Sequence, residues 1–256
     1  MCTVVVLRRP DSVWPLRMAA NRDEMVSRRC RPPARHWSDR PHVVAGMDEV
    51  AGGTWLGIND DGVVAGVLNR LNTLGPLPGS RSRGELPLRA LDHGTARLAV
   101  GSLGTLDANA YRPFNMIVAD DRDAFWVRCR RIDEDGSDAN VIETGEIPPG
   151  LSMITAYDLN DTSSPRIRRF LGRFEAAAEP EPMSGDWSDW EAILASRDHD
   201  AAAGPGGAMC VVTDYGFETV SSSLIALPAA DRCIAGPIWL FSNGRPGEST
   251  YEPVPL

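Results

Sequence analysis

Met1-Cys-Thr-Val-Val-Val-Leu7, followed by the turn Pro10-Asp-Ser12 and by Leu16-Arg-Met-Ala-Ala20, is the stretch on which the fold turns. Branching at Cβ stiffens the side chains of Thr3 and the three valines and suits them to a pleated surface. The run is apolar at every position from 4 to 7, which predicts a strand buried on both faces and starting at the head of the chain. The short turn makes residues 16–20 its antiparallel partner, so the end of the second strand falls beside Cys2. Methionine aminopeptidase removes an initiator Met when the next residue is small, and Cys qualifies. The mature chain then begins with a thiol and a free α-amine on one residue. Their reference pKa values are about 8.5 and about 7.7–8.0, so the amine can take the thiol proton near neutral pH without a distant base.

Working outward, residues 21–41 are polar, Arg-rich and Pro-containing and read as a loop. Residues 43–45 read as a short strand. Residues 52–58 and 63–68 form a hairpin across Asn59-Asp-Asp-Gly62. Residues 72–84 are a Gly/Pro/Ser-rich loop, and 84–100 contain a helix with Leu88, Leu91 and Leu98 on one side. Residues 114–119 and 124–128 form a second hairpin, and Pro148-Pro-Gly150 is a turn. Ser164 and Pro165 suit the cap and first turn of a helix whose Ile167, Phe170, Leu171 and Phe174 make one apolar stripe. Ser188-Asp-Trp-Glu191 fits a capping box for a further helix. Residues 209–213, 219–227 and 237–242 read as strands, with Asn243-Gly244 as a hairpin turn. Hairpins outnumber strand–helix–strand units, which predicts an α+β fold of antiparallel sheets with helices over their faces.

The 256 residues, 43% of them hydrophobic, suffice for one sizeable core, and a single domain over 1–256 is expected. The net charge of −9 argues against nucleic acid or an anionic membrane surface as partner. Arginines concentrated between residues 8 and 40 have two readings, a face for an anionic ligand or, the favoured one, side chains solvated or paired with surface carboxylates. Five cysteines at wide spacing, without a C-x-x-C pair, support neither a zinc ribbon nor a disulfide framework. No apolar run reaches the roughly 18 residues of a membrane span, and the expected setting is soluble, reduced and cytoplasmic. His36, His42, His93 and His199 show no metal-ligand spacing.

Arg22 and Asp23 follow the second strand and so approach Cys2. Arg22 is expected to lower the thiol pKa, and Asp23 to accept from the α-ammonium or orient Arg22. Asn69 ends the strand of residues 63–68, where a side-chain amide can donate to an oxyanion. Gly66, Gly52 and Gly53 leave room for close backbone approach. Asn115 and the cluster from Thr219 to Ser223 offer further donors.

These motifs occur in order: Met1-Cys2, Ala20-Asn-Arg-Asp-Glu24, Gly52-Gly-Thr-Trp-Leu-Gly57, Gly66-Val-Leu-Asn-Arg70, Ser82-Arg-Gly-Glu-Leu-Pro87, Phe114-Asn-Met-Ile-Val-Ala119 and Gly150-Leu-Ser152. Together they resemble the NRDE family, also called the transport and Golgi organisation protein 2 family, from residue 1 to about residue 227. The resemblance implies a four-layer αββα sandwich like that of N-terminal nucleophile (Ntn) hydrolases, with the bile-salt and penicillin V amidases as hydrolase relatives. It sets Cys2, Arg22, Asp23 and Asn69 at the catalytic positions, with Asn21, Trp55 and Asn115 assigned to substrate. The family tends to carry an Arg where this chain has Thr219-Val-Ser-Ser222. The activity implied is hydrolysis of a linear amide through an acyl thioester on Cys2, with no metal or organic cofactor and a small-molecule amide or acyl substrate. The alternative is a non-hydrolytic carrier of haem or an acyl lipid on the same scaffold, in line with the haem trafficking and Golgi organisation linked to eukaryotic relatives. A purely structural partner-binding domain is the third reading. The sequence assigns no oligomeric state.

Overall fold

The valine run forms the first strand, as expected. In chain order the elements are β1 (Thr3–Arg8), β2 (Leu16–Met25), β3 (Cys30–Ala34), β4 (Val43–Asp48), β5 (Leu56–Asn59), β6 (Val64–Asn69), α1 (Glu85–Leu91), α2 (Ala96–Leu103), β7 (Phe114–Ala119), β8 (Ala124–Glu134), β9 (Ser137–Glu146), β10 (Gly150–Ile154), α3 (Pro165–Ala176), α4 (Ser188–Leu194), β11 (Phe217–Leu227), β12 (Ile238–Ser242) and β13 (Glu252–Pro253). The structure, a computed structural model, describes residues 2–134, 137–231 and 235–256, so Met1 and Cys233 lie outside it. The chain divides into two compact units, one of Met1–Arg28 with Pro148–Leu256 and one of Arg29–Ile147.

The first unit is a six-stranded antiparallel sheet in the order β10-β1-β2-β11-β12-β13. β1 is flanked by β10 and β2, with Thr3 opposite Asn21 and Val5 opposite Ala19. One face carries Val5, Leu7, Ala19, Met153, Leu224 and Ala226, which pack against Ile167, Phe170 and Phe174 of α3 and Trp190 and Leu194 of α4. Phe174 and Trp190 meet edge to face at 5.4 Å, a favoured aromatic geometry. α3 begins as its sequence dictates: Pro165 opens it and Ser164 Oγ accepts from the Ile167 N–H at 3.3 Å. The capping box at 188–191 does not form. Ser188 is already helical and Trp187 holds the cap position, while Asp186 accepts from the Ser188 N–H and hydroxyl.

The second unit is a seven-stranded antiparallel sheet in the order β3-β4-β5-β6-β7-β8-β9. Its cluster joins Val43, Ala45, Val63, Ala65, Phe114, Met116, Val118 and Val127 to Leu86, Leu91, Ala99 and Leu103 of α1 and α2. The single helix expected over 84–100 is two. Thr95 caps the second by accepting from the Leu98 N–H, and this restart resets the helical phase, so Leu98 is 62% exposed instead of buried. Glycine is required at residue 53. A Cβ there would lie 2.4 Å from the Gly84 carbonyl carbon, because the Thr54 N–H bonds Gly84 O at 2.8 Å.

Other expectations change for local reasons. Residues 21–41 are not all loop, since β2 runs on to Met25 and β3 follows at the sheet edge, where Pro32 and Pro33 cost no ladder bond. The strand expected over 52–58 begins only at Leu56. Residues after Gly150 form edge strand β10. Residues 209–213 form no strand, and β12 pairs with β11 and β13 and not through a hairpin at Asn243-Gly244. The arginines of residues 8–40 largely pair at the surface, Arg9 with Glu179, Arg29 and Arg31 with Glu49, Arg35 with Asp60 and Arg40 with Asp92. Each unit thus supplies one antiparallel sheet and its helices, the α+β class expected. No helix among the described residues is long and apolar enough to cross a membrane.

Candidate active site around Cys2

Strand alternation sorts the chain start into two faces. Thr3 and Val5 point with Asn21 and Ala19 toward α3 and α4. Cys2 and Val4 share the other face with Ala20 and Arg22. Cys2 is half-buried, and its thiol lies 3.7 Å from the Asp23 backbone carbonyl. Burial and then the Asp23 carboxylate push the thiol up, with Arg22 pulling it down. The net displacement is upward, against the lowered thiol expected from Arg22 alone, because desolvation of the thiolate outweighs the guanidinium.

The Asp23 side chain is buried on the helix side. Its Oδ1 accepts from the Thr219 hydroxyl at 2.6 Å and its Oδ2 from Arg166 Nη1 at 2.9 Å. Arg166 Nη1 also donates to Thr3 Oγ1 at 2.5 Å, and its Nη2 to the Gly206 carbonyl at 3.0 Å. Thr219 in turn accepts from the Val211 N–H at 2.8 Å. A register shift between Thr219 and Ser221 sets Thr219 opposite Asp23 and Ser221 opposite Arg22, the kind of bulge that re-aims side chains at functional sites. Sequence reasoning missed Arg166 and did not give Thr219 this role. The available signal for Arg166 was a charge four residues before Phe170, on the edge of the apolar stripe of α3.

Asn21 is 1% exposed. Its Nδ2 donates to Leu194 O and Met209 O, both at 3.0 Å, and its Oδ1 accepts from the Ser222 hydroxyl at 2.7 Å. Tyr251 donates to Ser222 at 2.8 Å and completes this chain of hydrogen bonds. Thus Cys2, Asn21, Arg22 and Asp23 are brought together in the first unit, with the Asn21 amide engaged by the fold. Asn69, Trp55 and Asn115 lie in the second unit. Asn69 ends β6 opposite Phe114, Trp55 lies over Gly46, and the buried Asn115 accepts from Arg70 Nη1 at 2.6 Å. Among the described residues, no group of three or more His, Cys, Asp or Glu is arranged to hold a metal ion.

The fold, two antiparallel sheets each with its helices, is Ntn-hydrolase-like. It superposes on a single-residue variant of conjugated bile acid hydrolase from Clostridium perfringens with a TM-score of 0.53 at 10% identity, over 98% of this chain and 92% of that one. Within that class, the model of the Transport and Golgi organisation 2 family matches residues 1–189, and the chain belongs to that family. The Transport and Golgi organization 2 homolog of Mus musculus is 33% identical over 112 residues, and the homolog of Bos taurus 34% identical over 116. Each match spans 43% of this chain and 40% of the relative's own length.

Proposed function

We propose that this protein is an N-terminal-cysteine amidohydrolase acting on a small, non-peptide linear amide. The observation that supports it best is Cys2 at the head of β1, on the same sheet face as Arg22, with Asp23 fixed beneath by two buried donors. Removal of Met1 frees the Cys2 α-amine. The amine takes the thiol proton, the sulfur attacks the amide carbonyl, and the α-ammonium returns the proton to the leaving nitrogen as the C–N bond breaks. Water then cleaves the acyl thioester, releasing the acid and restoring the thiol. In this scheme Arg22 favours the thiolate, Asp23 holds the ammonium's surroundings, and Asn21 braces β2. A nucleophilic thiol of this kind is kept reduced in a reducing cytoplasm, the setting this reading implies.

The test begins with mass spectrometry of the mature N-terminus. Wild type and Cys2→Ala are then compared on a panel of acyl amides and with an activity-based thiol probe. The expected outcome is a chain beginning at Cys2, with labelling and turnover lost in Cys2→Ala by at least about a thousandfold, the scale of removing a nucleophile. Retained Met1, or equal turnover in both proteins, rejects the reading. A Soret band on haem titration of a protein without turnover turns it toward the carrier alternative.

A further inference from the structure

Arg166 breaks a local rule. It is the second residue of α3, where the exposed N–H groups and helix dipole favour an anion over a cation. It is also buried, at 3% exposure. Its guanidinium spans three segments, bonding Thr3 on β1, Asp23 on β2 and the carbonyl of Gly206. Cations are buried at a helix start only where something specific holds them. What holds this one is Asp23, whose backbone carbonyl receives the Cys2 thiol from the other side of the sheet.

We propose that Arg166 is a positioning residue for Cys2, acting through Asp23. It neutralises the Asp23 carboxylate from the helix side and pins the start of β1 through Thr3, so that a thiolate forms at Cys2 without facing an uncompensated negative charge. The inference rests on the reading of Cys2 as a nucleophile. The charged and titratable groups around this spot are the Cys2 α-amine of the mature chain, Arg22 and Asp23 from β2, Arg166 from α3, and Cys210 from the segment before β11 with Arg197 beside it. Asp23 acts on both thiols in the same upward direction, which makes its partner cation the natural control of the local field.

The test reads the rate of Cys2 alkylation by iodoacetamide against pH, on the full chain, by peptide mass spectrometry. Arg166→Met moves the profile to higher pH and slows alkylation at pH 8 about tenfold, the effect of one pKa unit. Arg166→Lys keeps the wild-type profile. Combining Arg166→Met with Asp23→Asn removes the carboxylate charge as well and returns the rate to within about threefold of wild type, half a pKa unit. An unmoved profile in Arg166→Met overturns the proposal, as does a double variant as slow as the single. Where Arg166→Met does not fold, Arg166→Lys and the doubly neutral variant decide, and a shifted profile in either overturns it. The readout is thiol reactivity, not turnover. A wild type that alkylates but cleaves no amide therefore rejects the hydrolase reading separately from the role of Arg166.

Discussion

The helix-facing sides of the two sheets solve the same problem with different materials. In the second unit, aliphatic and aromatic side chains from β4, β6, β7 and β8 meet α1 and α2 in a cluster of Val, Ala, Leu, Phe and Met. In the first unit a comparable apolar cluster surrounds Val5 and Phe170, but the end of the sheet nearest Cys2 is polar. There Thr3, Arg166, Asp23 and Thr219 form one buried set of hydrogen bonds, and Asn21, Ser222 and Tyr251 form another. A buried ion pair adds little net stability, because desolvation of both charges offsets their attraction. Apolar residues of equal volume would hold the layers together at least as well. On the proposed reading of Cys2, the polar end of the first sheet fixes positions around that residue and adds little stability.

The largest expected effects test whether the apolar parts are equivalent. Phe114→Ala in the second unit and Phe170→Ala in the first each remove a fully buried ring. Each should lower unfolding free energy by about 3–5 kcal/mol, measured by urea denaturation. A loss at Phe170 much smaller than at Phe114 would mean that the polar set, and not the apolar cluster, holds α3 to its sheet.

The next effect separates position from stability. Arg166→Met leaves the buried Asp23 carboxylate without its guanidinium and should cost about 3–5 kcal/mol, whereas pairing it with Asp23→Asn should cost markedly less. Equilibrium unfolding of the two singles and the double gives the coupling as a double-mutant cycle. Additive losses would show that the pair is not coupled and that the buried network is packing in polar form.

How much of this was legible in the sequence follows from the same physics. β1, its pairing with β2, the β7–β8 hairpin and the Ser164 cap of α3 are written locally, in β-branched runs, short turns and a Ser-Pro step, and they are where expected. Cys2 beside residues 21–23 was legible because a hairpin brings a strand's end to its partner's start. Arg166 and Thr219 were not, because their partner Asp23 is 143 and 196 residues away and no local pattern records such a pairing. β3 was hidden by prolines that an edge strand tolerates, whereas the α1–α2 break does carry a local signal, Gly94 followed by the cap residue Thr95, that the single-helix reading passed over. The bulge between Thr219 and Ser221, which sets Thr219 on Asp23, has no residue signature of its own.

The smallest expected effect lies in the second unit, where the same ion-pair chemistry meets water. Glu143 on β9 accepts from Arg128 Nε at 2.7 Å and Arg130 Nε at 2.8 Å, and all three side chains are partly exposed. The hydrogen bonds from Arg130 and then Arg128 hold the Glu143 carboxyl down to about 2. A carboxyl lowered on folding contributes stability that is fully present above its unfolded value of 4.5 and is lost as pH falls from there through about 2. Solvent screening keeps the gain to about 0.2–1 kcal/mol. An NMR titration of the Glu143 side-chain carboxyl should give a midpoint near 2, rising toward 4.5 in Arg130→Ala, while the denaturation midpoint at pH 7 barely moves. At Arg166–Asp23 the two signs are bound by the same kind of hydrogen bond but are shut away from solvent, so removing one partner there is expected to unsettle both the fold and Cys2. A stability loss at Arg130→Ala as large as at Arg166→Met would mean that burial is not what distinguishes the two clusters, and the positional role assigned to the polar end of the first sheet would lose its basis.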